Sequence, residues 1–272
     1  MKEITVIKSK KGLANFDLKE LWNYRELFWV LSFREFQVRY KQTVIGILWA
    51  IIRPLLTMVV FTFLFGKIAK IPTDGVPYPI FSYAGLVLWS YFSSAVAQSS
   101  SSMIGNSRLI TKVYFPRVII PTSSTIVGLI DYAISFVIVL GLMIFYQYPL
   151  TYGMLLIPVI LFLTWLLSVG IGLWFSALNV KYRDVQYALP FITQTLMYIT
   201  PVIYPITLAG SYKWILALNP LSGLIETHRN LILGNPNIDW KMLGVSVLIT
   251  LVIFISGYMY FKKVEKYFAD II

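Results

Sequence analysis

Charged residues are missing from long stretches of this chain and gather in short ones. Residues 75–107 carry no Asp, Glu, Lys or Arg, and Asp131 is the single charge between 118 and 180. Two further free runs cover 185–212 and 242–261, and 44–66 is broken only by Arg53-Pro54. A helix needs about 20 mainly apolar residues to cross a hydrocarbon core of about 30 Å. The run from 132 to 180 is too long for one crossing, and Tyr148-Pro149-Leu150-Thr151-Tyr152-Gly153 supplies turn residues inside it. The pattern therefore predicts six spans, at 44–66, 80–100, 120–147, 153–178, 186–204 and 240–261. The fold class is an all-α polytopic membrane protein, divided into a cytoplasmic segment 1–43, a membrane domain 44–261 and a tail 262–272. The polar start of the chain lacks the apolar stretch of a cleavable signal, so none is expected.

Composition sharpens this. Of the 272 residues 58% are hydrophobic and 13% charged, about half the charged share of an ordinary soluble domain. Disorder and a soluble enzyme are both excluded. The net charge of +11 would suggest nucleic acid in a soluble protein. Here 17 of the 23 Lys and Arg fall on the side of the alternation that holds both ends of the chain. By the positive-inside rule both termini are cytoplasmic and the basic excess belongs to topology and anionic lipid, so no nucleic-acid partner is expected. With no Cys and one His, disulfides, thiolate zinc sites and a histidine metal cluster within the chain are excluded.

Outside the spans, 17–40 reads as an amphipathic helix lying on the membrane, with Leu18, Trp22, Trp29, Phe33, Phe36 and Tyr40 at helical spacing. Asp17 with Glu20 has the form of a cap. Such a helix serves equally well as an anchor for the first span or as a surface for a cytoplasmic partner. The loop before the third span, 108–117, is basic yet carries Leu109, Ile110, Val113, Tyr114 and Phe115. A solvated turn needs none of these, and they suggest docking into another protein. On the external side, Asn219-Pro220 reads as a helix start and Gly234 with Pro236 as a stop. Segments 213–218 and 221–233 are then two short re-entrant or interfacial helices.

Several motifs in order resemble a known family. They are Gly46-Ile47-Leu48-Trp49 with Arg53-Pro54, and Thr111-Lys112-Val113-Tyr114-Phe115-Pro116-Arg117. Then come Leu178-Asn179-Val180-Lys181-Tyr182-Arg183-Asp184-Val185, Thr200-Pro201-Val202-Ile203-Tyr204-Pro205, and Leu218-Asn219-Pro220-Leu221 leading to Glu226 and Arg229. Together they resemble the permease subunits of ABC-2 type exporters, most closely the Wzm-like permeases for O-antigen and related lipid-linked polysaccharides, over nearly the whole chain. The resemblance implies a homodimer in the inner membrane working with two ABC ATPase subunits. It places an ATPase-coupling helix on Arg108, Leu109, Ile110, Lys112, Val113, Tyr114 and Phe115, and gives the amphipathic helix with Trp22, Trp29 and Phe33 a contact to the same partner. The external helices would flank the exit.

No G-x-x-x-x-G-K-[S/T] loop occurs, so ATP and Mg are expected on a partner ATPase, and this chain carries no cofactor of its own. The competing readings are export of teichoic acid or a small amphiphile by the same machine, and an integral-membrane lipid-phosphate transferase. The transferase would need grouped acids, whereas Asp74, Asp131, Asp184, Glu226 and Asp239 are scattered, so no catalytic residue is assigned. Two stripes could line a pathway: Tyr91, Ser94, Gln98 and Ser101 in the second span, and Tyr187, Phe191, Gln194 and Tyr198 in the fifth. Ring faces with polar tips suit sugar, though aromatic residues also crowd membrane interfaces and serine rows also pack helices. Ser168, Gly172 and Ser176 read as such a packing row, and His228 as an ordinary polar contact. The intramembrane charges Arg53 and Asp131 lie at matching depth and are expected to pair, or else to face headgroups and a wet cavity separately.

Overall fold

The computed structural model describes residues 18–41, 46, 48–235 and 237–268. Asp17 and its cap, the beginning of the expected first span apart from Gly46, Pro236 and residues 269–272 lie outside the described residues. Two helices, α1 (Leu18–Asn23) and α2 (Arg25–Tyr40), precede the membrane domain. The first crossing is α3 (Leu48–Phe61), continued by a π-helical segment, Thr62–Ile68. Then follow α4 (Tyr78–Gly105), the short α5 (Ser107–Lys112), α6 (Ile119–Phe145) and α7 (Ile157–Lys181). The chain closes with α8 (Val185–Ile199), α9 (Lys213–Ala217), α10 (Pro220–Leu233) and α11 (Trp240–Val264). Among the described residues there is no strand.

Among the described residues, five helical stretches are long and apolar enough to cross a membrane: Leu48–Ile68, Tyr78–Gly105, Ile119–Phe145, Tyr152–Lys181 and Trp240–Tyr267. The expected span at 186–204 is the exception. Its helix, α8, has 15 residues, a rise of about 22 Å. Pro201 fixes the reason, because a residue before proline avoids helical backbone and Thr200 is extended at φ −79°, ψ 140°. Val202 and Ile203 then turn inward and are buried.

The bundle is organised around α4, which packs against α3, α6, α7, α8 and α10 and is buried at nearly every position from Tyr78 to Val96. Small residues set the close crossings. Gly172 of α7 lies against Ser99 of α4, where an added Cβ would sit 2.6 Å from the serine Cβ. Ser168 and Ser176, four residues to either side, are also buried, so this row does pack helices. Gly170 of α7 meets Phe254 of α11 backbone to backbone, its Cβ position falling 2.7 Å from the phenylalanine Cα. A second core joins Leu31, Met103, Ile110, Phe115, Ile119, Leu173, Phe261 and Phe268 where α2, α5 and the end of α11 come together. Residues 262–268 continue this packing: α11 runs on to Val264, and Phe268 lies edge-on to Phe261 at 5.2 Å.

Helix α2 departs from the expectation of a helix flat on the membrane. Ser32 Oγ donates to the Ser123 carbonyl at 3.4 Å, and Tyr40 OH donates to the Asp131 carboxylate. The two contacts lie eight residues apart on both helices, so α2 ascends beside α6 for about 12 Å. Its apolar stripe divides accordingly. Phe36 and Tyr40 are half-buried, while Trp22, Trp29 and Phe33 are more than 60% exposed.

Around α10 and the start of α11 the capping signals in the sequence are realised as read. The Asn219 side chain accepts from the Leu221 amide at 3.1 Å, Pro220 opens α10, and Gly234 ends it at φ +67°. Asp239 caps α11 through the Met242 amide and meets Lys213 at 2.7 Å. The Lys213 ammonium and that amide together hold the Asp239 carboxyl below the usual carboxylate range.

Candidate functional site

The loop between α4 and α6 is built on Asn106. Its Nδ2 donates to the Ser102 carbonyl at 2.8 Å and its Oδ1 accepts from Arg34 of α2. After α5 the chain becomes extended at Val113 (φ −129°, ψ 135°), and Pro116 keeps it from resuming a helix. This geometry divides the seven residues assigned to ATPase coupling. Ile110 and Phe115 are buried in the second core, so the expectation that they face a partner is corrected: they anchor the loop from below. Leu109 is half-buried, and Arg108, Lys112, Val113 and Tyr114 form the exposed knob, with Tyr114 67% exposed. Behind it, the Arg117 amide donates to the Glu265 carboxylate at 2.9 Å and its guanidinium donates to the Glu265 carbonyl. The knob is thus a small, firmly based projection, apolar at its tip and positive at its sides.

The two candidate pathway stripes also part company. On α8, Tyr187, Phe191, Gln194 and Tyr198 are all exposed on the face away from buried Leu189. On α4, Tyr91 is only 1% exposed, so its assignment to a pathway surface is corrected. Gly128 makes room for its ring, which lies edge-on to Tyr132 at 6.3 Å. Ser94 and Gln98 are half-buried and joined, Gln98 Nε2 donating to Ser94 Oγ at 2.7 Å, while Ser101 is exposed. Gln98 and Ser101 line a groove of about 360 Å³ against Arg34, Glu35 and Val38 of α2.

The expected pairing of Arg53 with Asp131 is replaced by another. Asp131 meets Arg39 at 2.7 Å and accepts from Tyr40, both at the end of α2. The Arg53 guanidinium instead lies 5.7 Å from the Trp49 ring centroid. Equal depth along two helices does not decide the pairing, because α2, packed along α6, supplies a nearer cation.

The most buried charge was not recognised as a structural centre from sequence. Arg229 of α10 is 1% exposed and makes four hydrogen bonds. Its Nε donates to the Phe81 carbonyl at 3.2 Å, Nη1 to Glu226 at 3.0 Å, and Nη2 to the carbonyls of Pro201 and Val202 at 2.8 and 3.0 Å. Its guanidinium carbon stands 3.9 Å from the Phe81 ring centroid. The planar fork of arginine reaches several acceptors at once, as a lysine ammonium does not. One side chain thereby binds α4 and the bend after α8 to α10. Gly85 is needed for this: a Cβ there would lie 2.8 Å from Nη2. The signal available in the sequence was the spacing of Glu226 and Arg229 at i, i+3 on a helix bounded by Asn219-Pro220 and Gly234. His228 is the polar contact expected, its Nε2 2.7 Å from Tyr132 OH and its Nδ1 3.0 Å from the Ala84 carbonyl.

Known proteins place this architecture. The family model for ABC-2 type transporters matches residues 26–233, from the start of α2 to the end of α10. This chain belongs to the ABC-2 type transporter family. Among curated proteins, an O-antigen export system permease protein RfbA of Myxococcus xanthus is 28% identical over 93% of this chain and 98% of its own length. A protein of the same name from Klebsiella pneumoniae is 27% identical over 91% of this chain and 95% of its own. The polysialic acid transport protein KpsM of Escherichia coli is 25% identical, covering 87% and 92%. In this ABC-2 transporter chain the motifs that carried the resemblance occupy definite places: Arg53-Pro54 in the first crossing, 111–117 in the loop that carries the knob, and Pro201 with Arg229 at the central junction.

Proposed function

We propose that this chain is the membrane permease of an ATP-driven exporter that moves a lipid-linked polysaccharide of the O-antigen type out of the cytoplasm. The observation that carries the cargo class is the near full-length similarity to permeases named for O-antigen and polysialic acid. The exposed Tyr187, Phe191, Gln194 and Tyr198 face adds support, since aromatic rings with polar tips match a pyranose with its hydroxyl rim. In this reading two copies of the chain pair in the inner membrane with both termini cytoplasmic, membrane lipids surround them, and two ABC ATPase subunits bind ATP and Mg. The chain contributes binding and passage and no catalytic residue. Deleting its gene should remove the glycan from the cell surface and leave the lipid-linked form on the cytoplasmic side, and expression of the chain should reverse both. Unchanged surface glycan would overturn the reading and turn attention to teichoic acid or a small amphiphile.

The knob is the proposed ATPase contact. Val113→Ser with Tyr114→Ser removes its exposed apolar surface and leaves Ile110 and Phe115 in the core, so the variant should fold as the parent does while losing the ATPase in copurification. Retention of the ATPase at parental stoichiometry would place the contact elsewhere.

The pathway is tested in the same Cys-free background. Cys introduced singly at Tyr198 should react with a water-soluble thiol reagent and be protected by bound cargo. At Gln98, inside the groove, the reaction should be slower and should quicken when α2 is displaced. Complete protection of Tyr198→Cys in all states would assign the α8 face to lipid or to the second copy.

A further inference from the structure

Three elements that belong to different ends of the molecule meet on a little more than one turn of α6. At Asp131 the carboxylate holds Arg39 at 2.7 Å together with Tyr40, both from α2. At Tyr132, buried in the bundle, the hydroxyl meets His228 of the re-entrant helix α10 at 2.7 Å, and His228 in turn reaches the Ala84 carbonyl of α4. At Ser135 the hydroxyl donates to the Ala50 carbonyl of α3 at 3.0 Å.

The last contact has a specific cause. Pro54 sits inside α3, four residues after Ala50. A proline has no N–H, so the carbonyl four residues before it loses its helical partner. Ser135 supplies the missing donor, which ties the proline position of the first crossing to α6 rather than to its own helix. Asp131 and Ser135 are spaced i, i+4 and share a face, while Tyr132 is turned by about 100° from Asp131 and looks toward α10. The turn therefore grips the cytoplasmic helix and the first crossing on one side and the external re-entrant helix on the next.

We propose that the turn carrying Asp131, Tyr132 and Ser135 is a positioning element of transport, passing displacement of α2 and α3 on to α10. The proposal rests on the permease reading for its role in export, but the coupling itself can be measured without cargo. Each link is polar and sits in a setting with few alternative partners, so a moving helix either carries α6 with it or leaves a desolvated group unmatched. A packed bundle responds to such a choice by shifting as a unit.

The test uses the full chain, free of native Cys, in lipid nanodiscs, with a spin label on Cys introduced at exposed Phe33 of α2 or at exposed Asn235 just past α10. Asp131→Asn should raise mobility at both labels. Tyr132→Phe should change the Asn235 label alone, and in its background Asp131→Asn should no longer move that label. Exchanging the charges, Arg39→Asp with Asp131→Arg, should restore both spectra, a rescue that general loosening of the bundle would not give. Where Asp131→Asn does not yield folded protein, Arg39→Gln is read by the same two labels. A response confined to the Phe33 label, or an Asn235 response that persists undiminished with Tyr132→Phe, would overturn the proposal. The expected label responses together with surface glycan that is unchanged when the gene is deleted would instead count against the cargo reading.

Discussion

Arg229→Met should cost the fold about 3 to 5 kcal/mol, the range seen when one member of a buried ion pair is removed. The loss is expected to be this large because the change strands more than one group. Glu226 would lose its cation, and the carbonyls of Phe81, Pro201 and Val202 would lose their donors in the centre of the bundle. The two carbonyls after α8 matter most, since the bend made by Pro201 leaves them without helical partners. Arg229→Lys should recover only part of the loss, because one ammonium cannot reach the acceptors that the guanidinium fork spans. Melting of the purified protein in detergent, with the monodisperse fraction after extraction, reads both changes. Parental behaviour of Arg229→Met would mean that the bend and α10 are held by apolar packing alone.

A comparably large effect is expected at Gly257, where α11 crosses α7. A Cβ at this position would collide with the Gly170 carbonyl and lie 3.0 Å from the Trp174 ring. The obstacle is backbone, which has no rotamer with which to yield, so Gly257→Ala should destabilise by about 1 to 3 kcal/mol and Gly257→Leu by more. Gly244 on the same helix provides the control, as nothing lies within 4 Å of its Cβ position. Gly244→Ala should be neutral or raise stability by up to about 1 kcal/mol through helix propensity. Equal melting temperatures for Gly244→Ala and Gly257→Ala would show that the two helices can separate without cost.

Legibility followed the range of the interactions involved. The short motif Asn219-Pro220 with Gly234 announced α10 almost to the residue, because caps are satisfied by atoms a few positions away. The buried Ser168, Gly172 and Ser176 row was readable for a similar reason, helical spacing being local. Candidate site residues were found by periodicity, and periodicity places side chains on a face without saying what covers it. Tyr91 shares a face with Ser94 and Gln98, yet the space left by Gly128 draws its ring into the core. Ile110 and Phe115 belong to the same loop as Val113 and Tyr114, yet Leu31, Met103 and Phe268 cover the first two and not the second.

The sequence by itself determined the membrane class, the order of the helices and the turns and caps that end them, since solvent transfer and local backbone chemistry act residue by residue. The tertiary structure decided which polar groups meet. Asp131 could have paired with any cation at its depth, and the ascent of α2 beside α6 chose Arg39 over Arg53. Arg229 could have been one more external positive charge, and the bend at Pro201, the Phe81 carbonyl and the absent Cβ of Gly85 made it the centre of the bundle. In an apolar interior the cost of an unmatched polar group far exceeds any local preference, so partners distant in sequence fix such residues.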